Sequence, residues 1–180
     1  MRVVAGVARG RRLVAPRGTD VRPTTDRTRE AIFNALHSLG AVDGARVLDL
    51  FAGSGALGIE ALSRGAASVT FVERDPGALR AVRANLASTG LDGPAATVVR
   101  ADALRWLDGE PGAFDVALLD PPYAFDGWDA LLARLPAPLA VVESDRAVDP
   151  GPDWRITRSK RYGSTVVTIA RRAAPGASPS

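Results

Sequence analysis

The chain predicts an α/β fold on a mostly parallel sheet, and three observations carry that prediction. From Ala45 onward, short apolar runs alternate with amphipathic helical stretches, as in strands joined by crossover helices. The first run leads into a glycine-rich turn, Gly53-Ser54-Gly55-Ala56-Leu57-Gly58, that opens a helix. Four acids, Asp49, Glu73, Asp102 and Asp120, stand at or just beyond the ends of successive strands, the edge where open α/β sheets bind ligands.

The elements follow in order. Arg2–Ala5 and Arg12–Ala15 read as short strands around a Gly/Arg-rich connection, a small N-terminal β-hairpin with Arg9, Arg11 and Arg12 at its tip. Val21-Arg22-Pro23-Thr24-Thr25 is extended, because proline restricts the residue before it. Thr25 or Asp26 caps a helix running to about Leu39, with Ala31, Ile32, Ala35, Leu36 and Leu39 on its apolar face. Gly40 ends it. Parallel strands are then expected at 46–51, 68–73, 96–100, 114–119 and 139–143. Helices fill the intervals: one to about Arg64, one from Pro76 to about Thr89, a short one from Asp102, and one near Trp128–Leu135. Residues 154–158 and 164–170 pair as an antiparallel hairpin across Tyr162-Gly163, which brings the sheet to seven strands with helices on both faces. Residues 1–40 form a basic extension, 41–172 the main domain, and 173–180, rich in Ala, Pro, Gly and Ser, a disordered tail.

A chain of 180 residues with 46% hydrophobic and 24% charged residues suits one globular domain with a real core. No apolar run approaches the ~20 residues of a membrane span, and no apolar signal segment is present, so a cytoplasmic monomer is the default expectation. With no cysteine and a single histidine, His37, there is no disulfide or thiolate nucleophile, and no metal site is expected. The net charge of +3 conceals a strong segregation. Residues 1–30 hold eight Arg against three acids, and residues 155–172 hold five Arg and Lys160 with no acid. An acidic body with two basic ends is the footprint of a polyanion-binding protein.

The glycine turn lets a ligand approach the backbone, and the helix behind it offers N–H groups to an anion. Glu73, at the end of the second strand, is placed to accept from ribose hydroxyls. Asp102 with the Ala103 N–H can hold the edge of an adenine. This pattern also fits a nicotinamide dinucleotide. Against that, a pyrophosphate beside Asp49 would be repelled, whereas an ammonium group would be attracted. A dehydrogenase also ordinarily needs an acid–base group near the hydride acceptor, and the chain offers only His37 and Lys160. An adenosine joined to an amino acid, S-adenosylmethionine, satisfies all these groups. The plain alternative for the glycines is packing between helix and strand.

Asp120-Pro121-Pro122-Tyr123 follows the fourth strand. Two prolines stiffen the turn and carry no N–H. A carboxylate, a carbonyl and a flat ring within four residues suit a planar group with an exocyclic amine, such as a nucleobase. The plain alternative is a strand-ending turn with a surface tyrosine.

Asp49–Asp120 resembles the class I, Rossmann-like methyltransferases, and Asp120–Tyr123 resembles the motif of enzymes that methylate exocyclic nitrogens of bases. Together with Arg2–Leu13, Arg22-Pro-Thr-Thr-Asp-Arg-Thr-Arg-Glu30 and Lys160-Arg-Tyr-Gly-Ser-Thr165, the chain is similar to the RsmD family, the bacterial 16S ribosomal RNA (guanine(966)-N(2))-methyltransferases. The resemblance implies S-adenosylmethionine as methyl donor, S-adenosylhomocysteine as product and no metal. It implies 16S ribosomal RNA, within a partly or fully assembled small subunit, as partner. Asp120, Pro121, Pro122 and Tyr123 are then the catalytic residues, with Asp120 and the Pro121 carbonyl accepting from the amine and Tyr123 stacking on the base. Asp49, Phe51, Gly53, Ser54, Gly55, Glu73, Arg74, Asp102, Ala103 and Asp120 bind the donor, and Arg9, Arg11, Arg12, Arg22, Thr24, Arg27 and Arg161 contact RNA. A DNA amino-methyltransferase shares the motif, but 180 residues leave little room for a target-recognition domain. A non-catalytic RNA-binding module is the alternative from another class.

Overall fold

A computed structural model describes residues 1–16, 25–109 and 111–173. Its centre is a seven-stranded sheet: β1 Arg46–Leu50, β2 Ser68–Glu73, β3 Ala96–Arg100, β4 Val116–Leu119, β5 Leu139–Ser144, β6 Trp154–Tyr162 and β7 Thr165–Arg172. The spatial order is β3-β2-β1-β4-β5-β7-β6. The first five strands are parallel, and β7 runs antiparallel to both β5 and β6. The order reverses between β1 and β4, and such a switch point opens a crevice at the carboxyl ends of the two strands. This is the Rossmann-like architecture the sequence predicts.

The strands alternate side chains between two cores, as a period of two requires. Val47, Val69, Phe71, Val116, Leu118, Val141 and Ile169 face one side with helices α1 (Asp26–Ser38), α2 (Ala56–Ser63) and α3 (Pro76–Thr89). Leu48, Leu50, Val72, Ala117, Leu119 and Val142 face the other with α4 (Ala103–Asp108) and α5 (Trp128–Arg134). α2 is buried along its whole length, Glu60 and Ser63 included. Thr25 caps α1 by accepting the Thr28 N–H, and Asp75 caps α3 by accepting the Ala78 N–H.

Several elements differ from the sequence expectation. The N-terminal hairpin is reduced to one antiparallel bridge, Arg2 to Arg12, because the backbone between them turns repeatedly. The Val3 and Leu13 N–H groups still donate across it to the Arg11 and Met1 carbonyls, while other donors turn to α2: the Val4 and Ala5 N–H groups donate to Glu60, and the Ala8 N–H to Ser63 Oγ. Leu39 lies beyond the end of α1 and is 41% exposed. β4 begins at Val116, and Phe51 stands just outside β1. β6 extends to Tyr162, so the hairpin turns at Gly163-Ser164 instead of Tyr162-Gly163. The extended segment with Arg22, Pro23 and Thr24, and the tail from 174, lie outside the described residues. Among the described residues no helix is long and apolar enough to cross a membrane.

Candidate active site at the strand switch point

The carboxyl ends of β1, β2 and β4 surround a cavity of about 740 Å³. Asp49, Phe51, Gly53, Ser54, Glu73, Arg74, Asp102, Ala103, Asp120 and Pro122 all line it, so strand ends far apart in sequence converge as the pattern predicted. Among the described residues its wall holds six carboxylates, Asp49, Glu73, Asp75, Asp102, Asp120 and Asp126, against Arg74. Such a lining favours a cationic ligand and disfavours a pyrophosphate.

Asp49 is buried and accepts the Gly58 N–H at 2.9 Å, fastening β1 to the first turn of α2. Burial pushes its carboxyl well above the ordinary carboxylate range; the Gly58 bond draws it partly back, and the charges of Asp120 and Glu73 raise it further. The glycines divide their work. Gly53 and Gly55 adopt φ of +56° and +76°, which a side chain tolerates poorly. A Cβ on Gly58 would meet Phe71 Cε1 at 2.3 Å, so that glycine serves helix–strand packing, the plain alternative. No side chain caps α2 at Gly55. The Ala56 and Leu57 N–H groups, which the helix cannot satisfy, stand at the head of the cavity those residues line.

Glu73 is more constrained than its place at a strand end suggests. Its Oε2 accepts the Gly53 N–H at 2.9 Å, and its Oε1 accepts those of Arg74 and Asp75 at 2.8 and 2.9 Å. A carboxylate has about four acceptor positions, so little capacity remains for hydroxyls. Asp102 caps α4 by accepting the Arg105 N–H, and one of its oxygens lies 3.8 Å from Arg74.

At the cavity rim, the Asp120–Tyr123 turn is braced by contacts that sequence reasoning missed. Phe51 is the sole non-glycine with positive φ among the described residues, at +61°. Such a conformation costs ~1–3 kcal/mol and persists where neighbours enforce it. The Phe51 ring meets Phe125 edge-on at 5.3 Å, and Phe125 meets Trp128 at 5.1 Å. Arg146, just after β5, donates to the carbonyls of Tyr123 and Phe125 at 3.2 and 3.0 Å. The Phe125 N–H closes on the Pro122 carbonyl. An arginine beyond a neighbouring strand end was the available signal.

Tyr123 is 42% exposed and faces a second cavity of about 360 Å³. Arg27 from α1 and Arg161 from the β6–β7 hairpin line it with Lys160. Among the described residues no carboxylate lines it. Arg27 and Arg161 are thus brought to the site together. Arg9 is not: its turn packs against Ser63, at the end of α2 opposite the glycine turn, about one short helix length away. Arg11 and Arg12 are exposed. Met1, Ala15 and Pro16 of the N-terminal arm instead wall the acidic cavity. Asn85 ties that arm to the glycine turn by donating to the carbonyls of Val14 and Ser54 at 2.9 and 2.8 Å. Among the described residues no cluster of side chains could hold a metal.

The likeness to known proteins runs along nearly the whole chain. The family model described as Conserved hypothetical protein 95 matches residues 1–171. A Bacillus subtilis protein named "Putative rRNA methyltransferase YlbH" is 42% identical over 186 residues, covering 96% of this chain and 99% of that one. Ribosomal RNA small subunit methyltransferase D of Escherichia coli is 34% identical over 188 residues, covering 99% of this chain and 93% of that one. The solved structure described as "Putative methyltransferase yhhF from Escherichia coli" superposes with a TM-score of 0.83 at 34% identity, covering 97% of this chain and 98% of that one.

Proposed function

The chain belongs to the RsmD family, whose curated relatives are named as ribosomal RNA methyltransferases, and on that premise we propose its reaction. It transfers a methyl group from S-adenosylmethionine to the exocyclic N2 amine of a guanine in 16S ribosomal RNA. One observation carries this reading: an acid-lined cavity and a cation-lined cavity meet at the Asp120–Tyr123 turn. The first suits a sulfonium and an ammonium group, the second a phosphate backbone, and the turn between them suits an amine.

The residues present fit the donor. Asp49 and its acidic neighbours favour the ammonium, the head of α2 offers N–H groups to the carboxylate, and Asp102 with Ala103 stands where an adenine edge can be held. When bound, the donor supplies an electrophilic methyl carbon. Asp120 and the Pro121 carbonyl accept the two N–H bonds of the guanine amine, so that its lone pair is freed from the ring and directed into the cavity. Alignment of this kind is worth ~7–11 kcal/mol of barrier. Asp120 acts first as an orienting acceptor; the nitrogen becomes acidic once methylated, and a weak base suffices to take its proton. A base within a helix cannot reach this turn, so the target nucleotide is extruded or already unpaired.

Tyr123 stacks on the extruded base. Tyr123→Ala is expected to lower kcat/KM for RNA by about tenfold or more, and Tyr123→Phe by less than twofold. Equal losses in steady-state assays would assign the role to the hydroxyl instead. Arg27, Arg161, Arg11 and Arg12, with Arg9 farther along the arm, hold phosphates without reading sequence; Arg22 and Thr24 complete the set.

Asp49 sets a pH dependence. Its folded-state pKa is raised above the unfolded value of about 3.9, so the unfolded chain releases this proton first. The stability tied to the neutral form is present below about pH 4 and is lost as pH rises toward the folded value. A bound cation favours the charged form, so donor affinity should rise with pH across that window. Asp49→Asn keeps an acceptor for the Gly58 N–H and removes the titration. It should raise the melting temperature of the unliganded protein at pH 7 and flatten the pH dependence of S-adenosylmethionine binding in calorimetry. Binding by the native protein that ignores pH would contradict this role.

The direct test of the function is methylation of small subunits and naked 16S RNA from a strain lacking the gene, with the product base mapped by mass spectrometry. N2-methylguanine at one site is expected. A methylated adenine or cytosine, or no transfer, would refute the reading.

A further inference from the structure

The cationic cavity contains a second aromatic side chain, Tyr162, which the reading above does not use. We propose that Tyr162 and Lys160 seat the nucleotide adjacent to the target, with its base stacked on the Tyr162 ring and its phosphate between Lys160 and Arg27. The inference rests on the RNA-methyltransferase reading and extends it to a part of the substrate that never reaches Asp120.

The placement follows from register. Tyr162 pairs with Thr165 and Lys160 with Val167 across the β6–β7 hairpin, so both side chains point to the sheet face shared with α1. Arg27 and Thr28 of α1 form the opposite wall of the same cavity. The hairpin closes through Gly163 at φ +59°, a two-residue turn that sets Tyr162 on a stiff support. Tyr162 is half-buried against the α1-side core, and Lys160 Nζ lies 5.5 Å from its ring centroid. Among the described residues, neither Lys160 nor Arg27 has a carboxylate within ion-pair distance.

Charges on β6 have a simpler use as well, because a charged edge strand resists pairing with another chain. β6 is the outer strand and is exposed from Arg155 to Arg161, so Arg155 and Arg158 are explained that way. That account does not explain a cavity, an aromatic ring on its wall, or a helix cation facing the strand. An unpaired nucleotide matches all three, since it presents a flat face and a phosphate together. Two rings at one cavity also match the geometry of extrusion. The target base must sit at the Tyr123 end, where its amine reaches the acidic cavity, and a neighbour unstacked by extrusion then needs a ring of its own.

The test compares Tyr162→Ala, Tyr162→Phe and Lys160→Ala in the full chain, using the ribosomal RNA substrate that the native protein methylates. Calorimetric affinity for S-adenosylhomocysteine serves as the control for folding and donor binding. Tyr162→Ala is expected to raise KM for RNA about tenfold while kcat and S-adenosylhomocysteine affinity stay within twofold. Tyr162→Phe should restore KM, and Lys160→Ala should reduce the slope of log affinity against log salt by about one. An unchanged KM in Tyr162→Ala with an unchanged slope in Lys160→Ala overturns the inference, as does a parallel loss of S-adenosylhomocysteine affinity. If the native protein methylates no ribosomal RNA, the functional reading fails and takes the inference with it. An active native protein with indifferent variants overturns the inference alone.

Discussion

Asp120→Ala is expected to reduce methyl transfer by about 10²–10⁴-fold while S-adenosylmethionine still binds within a fewfold of the native affinity. The expectation rests on position. Asp120 follows directly on β4, at the switch point, and lines the acidic cavity while its turn continues to Tyr123 in the cationic one. Among the described residues it is one of six carboxylates in that cavity, so its loss leaves the lining acidic. It is also the acidic residue of the rigid proline turn, so its loss removes the acceptor that aligns the amine. Asp120→Asn, which keeps one oxygen acceptor, should fall between the two. Single-turnover assays beside calorimetry separate the effects; undiminished transfer by Asp120→Ala would remove this side chain from the chemistry.

Glu60→Ala is expected to destabilise the protein by about 3–5 kcal/mol, because it breaks a buried ion pair and removes the carboxylate that accepts from four donors at once. Glu60 and Arg29 are both buried completely, 3.4 Å apart. Glu60 also accepts the Val4 and Ala5 N–H groups at 2.8 and 3.0 Å and Arg64 Nε at 2.7 Å. Arg29 in turn bonds Asp26 and the Arg2 carbonyl. One carboxylate thus fastens the N-terminal arm, α1 and α2 together. For a chain of 180 residues the melting temperature should drop by roughly 6–20 °C. Limited proteolysis should then cut within residues 1–16 under native conditions. A drop below about 2 °C, with the arm still protected, would show that the ion pair is dispensable.

The parts of this protein that were legible in the sequence are those governed by local chemistry. Strand β4 and the Leu139–Val142 part of β5 are buried on both faces and read as continuous apolar runs, and Pro76 and Asp102 mark helix starts by their own conformational preferences. The acids at the strand ends could be found because a parallel sheet brings those ends to one side. Arg29 and Glu60 could not, since charged residues on helices ordinarily face water and only tertiary packing buries them. The hairpin reading put Arg9 at an exposed tip but gave no sign that the backbone of its turn bonds to Ser63, at the far end of α2. The length of β6 was hidden because an exposed edge strand has no alternation of burial to reveal it. Gly58 looked like part of a ligand loop, yet the space its Cβ would need is filled by Phe71.

A crystal structure with S-adenosylmethionine bound tests the central claim most directly. The account predicts adenosine density in the acidic cavity between Gly53 and Asp102, with the sulfonium methyl directed at the Asp120–Tyr123 turn. A donor bound elsewhere, or a methyl turned away from that turn, would contradict it.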